Sequence, residues 1–280
     1  MEFEHITFDL PHGIFHALQG GDPDGQPTIF LHGFPDHPPT AKAFLAELGR
    51  RGRYVIAPWL RGYAPSPTAG PFDFAALTSD VLALIDCWSP GRPVELIGHD
   101  WGALITYDAC VTAPERIERA VTLAIPHPLT FMGRMTSPAQ LRRSWYMGLF
   151  QLPGSGWVAT ARDLALIDHL WRQWSPGFSL EPALRKELHE HLWASMPAPL
   201  KFYRAMLRPG MFDATRRMSK PIKVPVLQLH GANDGCILSA QVDDQHRFAA
   251  RRTNEVVPDL GHFLHIEAPE AIAKRIAAWA

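Results

Sequence analysis

Cysteine is scarce in this chain. Cys87, Cys110 and Cys236 are widely spaced and odd in number. They form no paired metal-binding or redox motif, so reduced, buried thiols are expected instead of a disulfide framework. An excess of one charge is also missing. Lys and Arg number 27 against 28 Asp and Glu, for a net charge of −1, and nothing favours nucleic acid or an anionic membrane surface as a partner. No apolar run approaches the length of a bilayer span. The start, Met1-Glu2-Phe3-Glu4-His5, has no basic segment leading into an apolar one, which is the mark of a secretory leader. A cytoplasmic protein without membrane contact is the expectation. H-E-x-x-H, a P-loop and a dinucleotide fingerprint are absent too, so neither metal nor organic cofactor is expected. His189-Glu190-His191 looks metal-like, but residues two apart on a helix do not share a face. No internal repeat and no low-complexity tract interrupts the chain.

What is present is a soluble-type composition long enough for one large domain, or for one domain carrying an insertion. Hydrophobic residues are 46% and charged residues 20% of 280, which predicts an ordinary core. The first 27 residues read as a strand or two with turns. Thr28-Ile29-Phe30-Leu31, Tyr54-Val55-Ile56-Ala57, Val94 to His99 and Val121 to Ile125 are short apolar runs, the pattern of buried parallel strands. Helical spacing separates them, at Ala41 to Leu48, at 72–88 and after Gly102. Alternation of this kind predicts a mostly parallel α/β sheet flanked by helices. From about 130 to 217 no strand is legible. That stretch reads as helices, among them 138–151, 156–173, 181–195 and 198–207, and it holds five of the nine Trp and six of the eight Met. The α/β order resumes at Val224 to His230, with a helix near 239–248, a short strand at Asn254 to Pro258 and a closing helix at 267–279. The predicted organisation is an α/β core formed by 1–129 and 218–280, with an all-helical cap inserted at 130–217.

The stretch Gly98-His99-Asp100-Trp101-Gly102 follows an apolar strand and opens a helix. Strand, sharp turn, helix, with small residues two before and two after the tip, is the context of a nucleophile elbow. The tip is usually serine. Here it is Asp100, which needs no base to deprotonate it near neutral pH and attacks carbon to give an ester. Such an elbow calls for an acid and then a histidine further along the chain. Asp234 lies just past the strand ending at His230, and His262 lies in a loop past the strand near 254–258. Three residues in the required order, each beyond a strand's carboxyl end, form a candidate triad. Taken singly, Asp234 also reads as a helix cap and His262 as an ordinary loop histidine. Asp259 is too close in sequence to orient His262 and ranks below Asp234. Ester hydrolysis needs an oxyanion hole, which the amides of Trp101 and Phe34 are placed to form.

These residues resemble the α/β-hydrolase fold and, within it, the epoxide hydrolases, over nearly the whole chain. His32-Gly33-Phe34-Pro35 is similar to the family's H-G-x-P motif, which implies a cis peptide before Pro35. Ala57-Pro58-Trp59-Leu60-Arg61-Gly62-Tyr63 resembles its A-P-D-x-R-G-Y segment, with Trp59 where Asp is usual, and Gly98 to Gly102 resembles its G-H-D-W-G elbow. The segment Trp145 to Gly154 and the segment Lys201-Phe202-Tyr203-Arg204 resemble the stretches that carry two ring-opening tyrosines. Two of only five Tyr, Tyr146 and Tyr203, fall at those places. The resemblance implies an epoxide hydrolase with a small apolar epoxide as substrate and no cofactor, leaving open a homodimer and whether its role is detoxification, catabolism or biosynthesis. In that scheme Asp100 attacks the ring while Tyr146 and Tyr203 hold its oxygen. His262, oriented by Asp234, then activates water against the ester, and a vicinal diol leaves. The segment Asp36-His37-Pro38-Pro39-Thr40 stands where aromatic residues are frequent in the family, so one pocket wall is expected to differ. The Trp- and Met-rich insertion reads either as an apolar lid or as its own packed core. A haloalkane dehalogenase with the same aspartate, and a non-catalytic ligand-binding protein on this fold, are the alternatives. The tyrosine pair and the absence of a side-chain halide donor at Phe34 count against the first, and an intact triad against the second.

Overall fold

A computed structural model describes residues 1–238 and 244–279. Eight strands form one sheet in the order β1-β2-β4-β3-β5-β6-β7-β8. They are β1 (Glu4–Leu10), β2 (Gly13–Gly20), β3 (Gln26–Leu31), β4 (Arg53–Pro58), β5 (Val94–His99), β6 (Ile117–Leu123), β7 (Val226–Gly231) and β8 (Arg252–Val257). β1 and β2 make an antiparallel hairpin, β2 runs antiparallel to β4, and every other pairing is parallel. Ile29 pairs with Ile56 on one side and Leu96 on the other, and Leu123 pairs with Leu229. β5 and β7 are buried along their whole length. Helices on both faces therefore explain their unbroken apolar runs.

Helices α1 (Lys42–Arg50), α2 (Phe74–Trp88) and α3 (Trp101–Thr112) connect the early strands. The Asp73 side chain caps α2 by accepting from the Ala76 amide at 3.0 Å, which satisfies one of the free first-turn donors. The far end of β5, away from the elbow, is fixed by a buried carboxylate. Glu95 accepts from Arg53 Nε at 2.6 Å and Arg119 Nε at 2.7 Å, tying β4 and β6 to β5. Removing one partner of such a buried pair costs about 3–5 kcal/mol, because the other charge is left uncompensated.

Between β6 and β7 the chain is helical throughout: α4 (Pro128–Arg134), α5 (Pro138–Arg143), α6 (Trp145–Gln151), α7 (Ser155–Trp174), α8 (Pro182–Ser195), α9 (Leu200–Ala205) and α10 (Gly210–Met218). The expected segment 138–151 is two helices, α5 and α6, and those at 156–173, 181–195 and 198–207 correspond to α7, α8 and α9. The sequence pattern did not single out α4 or α10, and α10 packs on α2 and α3 of the sheet layer. The α7 helix is interrupted: Arg162, Asp163 and Leu164 have φ of +52° to +57°, which no periodicity argument reveals. After β8 come the short α11 (Leu264–Glu267) and α12 (Pro269–Ala278), which packs against α1. The helix expected near 239–248 falls partly on 239–243, outside the described residues; Gln245–Arg247 forms a single 3₁₀ turn. Cys110 and Cys236 are buried thiols as expected, but Cys87 is exposed near the end of α2. Among the described residues no helix is long and apolar enough to cross a membrane.

Candidate active site

Asp100 stands between the end of β5 and the start of α3 with φ +50° and ψ −116°. That conformation is sparsely populated for any L residue, and it persists only where the surroundings impose it. The surroundings are tight. A Cβ at Gly98 would lie 2.2 Å from the Gly102 carbonyl oxygen, and one at Gly102 would lie 2.1 Å from that of Leu31. Strand and helix therefore approach so closely that only glycine fits on either side of the tip. Their approach lifts the carboxylate of Asp100 clear of the sheet. Its Oδ1 accepts from the Phe34 amide at 2.9 Å, and its Oδ2 lies 3.6 Å from His262 Nε2. Trp101 opens α3, so its amide is among the first-turn donors that have no acceptor within the helix.

His262 is held from both sides. Its Nδ1 lies 2.9 Å from Asp234 Oδ2, and His230 Nε2 lies 3.1 Å from the same oxygen. Asp234 Oδ1 accepts from the amides of Cys236 at 2.7 Å and Ile237 at 2.9 Å. Asp259 instead occupies a turn at φ +63°. The Trp174 carbonyl, at the end of α7, accepts from both Gly235 N and His262 N at 3.0 Å, so one peptide fixes the acid loop and the histidine loop together.

Electrostatics follow from this packing. Burial works to raise the Asp100 carboxyl, but the hydrogen bond and charge of His262, with His99 and the Phe34 amide, outweigh it and hold it below the usual range. Burial likewise opposes ionisation of Asp234, and His262 and His230 overcome it. Burial pulls the His262 imidazole down, yet Asp234 and Asp100 together push it up to about 10. The resting site is an ion pair of one imidazolium between two carboxylates.

Tyr146 on α6 and Tyr203 on α9 face this pair, their ring centroids 5.7 Å apart at 86°. Tyr203 packs edge-on against Trp101 at 5.1 Å and Phe34 at 5.5 Å. Its buried hydroxyl makes no hydrogen bond of good geometry, although the Trp101 indole lies beside it. Burial raises both phenols well above 10, so both keep their protons at neutral pH. Asp100, Trp101, Tyr146 and Tyr203 line one small cavity whose remaining walls are apolar, including Leu104, Phe131, Met147 and Met206. Larger surface clefts lie elsewhere, but none brings a strained carboxylate and two phenols together.

The motif residues around the site have clear tasks. His32 donates from Nδ1 to the Gly33 carbonyl at 3.0 Å and accepts the Leu60 amide on Nε2 at 3.1 Å. Burial holds it near 4, so it is a neutral strut that shapes the turn. A Cβ on Gly33 would fall 2.4 Å from Asp100 Cβ, and the Phe34-Pro35 peptide is cis. Trp59 is buried against His5 and not in the cavity. His189 pairs with Asp168 at 3.0 Å while His191 stacks on His37 at 4.4 Å, so the two point apart.

Sequence reasoning missed several participants. Trp174 sits 5.2 Å from the His262 ring and 4.8 Å from that of Tyr146. Cys236, His230 and the buried trio Asp36, His99 and His265 were also unforeseen. The trio's ligand atoms lie within 4.8 Å of one another, with His265 Nε2 4.0 Å from Asp36 Oδ2. Ligands about 2.0–2.1 Å from a tetrahedral metal sit about 3.3 Å apart, so as folded the trio is too open to grip such an ion. Position at a strand end was the one signal that could have flagged His99 and His230.

Comparison with known proteins agrees with this architecture. The family described as "Alpha/beta hydrolase family" matches residues 28–275. The chain is similar to "Epoxide hydrolase 3" of Xenopus tropicalis, 28% identical over 275 residues, covering 94% of this chain and 73% of that one. It is also similar to an "AB hydrolase superfamily protein" of Bacillus subtilis, 26% identical, covering 93% and 92%. Among solved structures, a Bacillus megaterium epoxide hydrolase in complex with an inhibitor superposes with a TM-score of 0.85 over 98% of this chain and 99% of that one, at 20% identity. With sheet order, elbow and a family match spanning most of its length in agreement, this chain is a hydrolase and belongs to the alpha/beta hydrolase family.

Proposed function

We propose that this hydrolase converts an epoxide and water into a vicinal diol through an ester on Asp100. One observation carries the reading: a low-pKa carboxylate and two protonated phenols line the same apolar cavity. The names of the relatives support it. In the first step an Asp100 oxygen attacks a ring carbon and the carbon–oxygen bond breaks. The leaving oxygen is stabilised by Tyr146 and Tyr203 and takes a proton from one of them. The anionic nucleophile becomes a neutral ester.

That neutralisation prepares the second step. His262 is strongly basic in the resting site partly because ionised Asp100 lies 3.6 Å away. Esterification removes that charge, so the imidazole becomes easier to deprotonate and can serve as a base. It can then release its proton towards the phenolate and take another from water. The hydroxide formed attacks the ester carbonyl, and the amides of Phe34 and Trp101 hold the oxyanion. Collapse of the tetrahedral intermediate frees the diol and restores the Asp100 carboxylate. Asp234 keeps the imidazole oriented throughout. We read 130–217 as a lid over the core of 1–129 and 218–280, with α6 and α9 bringing the phenols down onto the sheet. The apolar walls of the cavity suit an uncharged epoxide.

A panel with styrene oxide and 1-bromobutane tests the reaction class. Diol formation supports this reading. Halide release without diol formation assigns a dehalogenase, and turnover of neither substrate by folded protein favours a binding role.

A further inference from the structure

Cys236 is fully buried directly behind the phenol of Tyr146, and every polar group it has is engaged. Its Sγ lies 3.3 Å from the Tyr146 hydroxyl. Its amide donates to Asp234 Oδ1 at 2.7 Å. Its carbonyl accepts from Gln140 Nε2 at 3.0 Å, and the same side chain's Oε1 accepts the Leu238 amide at 2.9 Å. Gln140 is itself fully buried on α5, the helix before the one that carries Tyr146. The loop that carries the triad acid is thus clamped to the helices that carry the first phenol, with Cys236 as the shared residue. Tyr203 has no counterpart to this arrangement, because its hydroxyl makes no well-formed hydrogen bond.

We infer that Cys236 is a positioning residue for ring opening: its thiol holds the Tyr146 hydroxyl towards the cavity before substrate arrives, while its backbone holds Asp234. The inference rests on the epoxide-opening reading above. A thiol suits this place. It is a weak partner, so it fixes the direction of the phenol without competing strongly for its proton. Burial, reinforced by Asp234 and Asp100, holds the thiol well above its ordinary value, so it stays protonated and adds no negative charge beside the nucleophile. The side-chain and backbone roles are separable. Changing the side chain leaves the amide that supports Asp234 in place, so ring opening should suffer and ester hydrolysis should not.

The test follows single turnovers of styrene oxide by rapid quench and intact mass in the wild type, Cys236→Ala, Cys236→Ser and Tyr146→Phe, and in Tyr146→Phe combined with Cys236→Ala. Ala and Ser leave nearly the same space, so their difference reports the hydrogen bond. Cys236→Ala should slow ester formation about five-fold or more, the worth of one hydrogen bond, and leave ester breakdown within about two-fold. Cys236→Ser should recover most of the loss, and Cys236→Ala should add nothing once Tyr146 is Phe. Unchanged ester formation, equal slowing of both steps, no rescue by Ser, or an additive effect in the Tyr146→Phe background would each overturn the assignment. Failure of both variants to fold would make Cys236 a packing residue and overturn it as well. A wild type that forms no ester on Asp100 would instead overturn the epoxide reading itself, before any variant is compared.

Discussion

Mild acid should unfold this protein, and the structure sets the scale. Burial keeps six histidines neutral: His32 near 4, His37 near 2, His99, His127 and His191 near 3, and His265 well below its ordinary 6.5. For a depressed histidine the unfolded chain binds the proton first, so stability falls as pH drops below about 6.5. At pH about 5.5 each contributes a loss on the order of 1 kcal/mol, or several kcal/mol for all six. Asp36 works the other way. Burial raises it to about 7, so the folded state takes up its proton first and recovers on the order of 1–2 kcal/mol over the same interval. The two triad carboxylates do not enter here, and His262 offsets a further part of the loss, under about 1 kcal/mol. Asp100 and Asp234 are depressed, so their stabilisation is present above their unfolded value and lost only below about 4. His262 is raised, so its contribution is complete below about 6.5 and lost as pH climbs towards 10. The net loss between pH 7 and 5.5 is then on the order of 5 kcal/mol, similar to the whole stability of many domains. Urea melts across this range should show ΔG falling with a slope that approaches five protons. A stability that stays flat or rises from pH 7 to 5.5 would refute the reasoning, since it would mean these imidazoles are charged or solvated in the folded protein.

Other outcomes follow from the same geometry. His262→Gln should accumulate a mass adduct of one substrate on Asp100, because removing the base slows hydrolysis about 10²–10⁴-fold; an unmodified variant after exposure to a good substrate would contradict the two-step scheme. Trapping should improve above neutral pH, since Asp100 loses the partner that holds its pKa down. Tyr146→Phe together with Tyr203→Phe should nearly abolish diol formation, and full activity would assign both rings to packing. Gly98→Ala would place a methyl group 2.2 Å from the Gly102 carbonyl oxygen, and thermal melts should show a loss of at least about 3 kcal/mol.

Much of the sheet was legible because β3, β5 and β7 are buried on both faces and their sequences say so as unbroken apolar runs. The elbow was legible for a related reason: Gly98 and Gly102 occupy places where a side chain cannot fit, so the backbone constraint is written in residue type. The candidate triad was readable from chain order and strand ends, and the fold brings His262 within 2.9 Å of Asp234 and 3.6 Å of Asp100. What lay hidden was contact across long sequence separations. Nothing in the pattern around Trp174 says that its carbonyl joins the loops of Asp234 and His262. Nothing near Cys236 says that it lies against Tyr146, 90 residues away. The left-handed break in α7 was equally invisible, since Arg162, Asp163 and Leu164 are not residues that mark such a conformation. The sequence pattern also gave no warning that Cys87 would be exposed, because it faces outward late in an otherwise apolar helix.

The buried histidines bear on mechanism as well as on stability. His99 and His265 lie 4.5 Å apart by ring centroid, and His99 lies 4.9 Å from the His262 ring and donates from Nε2 to the His262 carbonyl at 3.0 Å. If either neighbour were protonated at neutral pH, its charge would oppose the one on His262 and weaken the grip of the ion pair on Asp100. Burial keeps both neutral. In the proposed reaction His262 answers the state of Asp100: held charged while the carboxylate is free, released when the carboxylate becomes an ester. On that reading the site switches its base on by its own first chemical step, and the neutral imidazoles of His99 and His265 leave that signal unmasked.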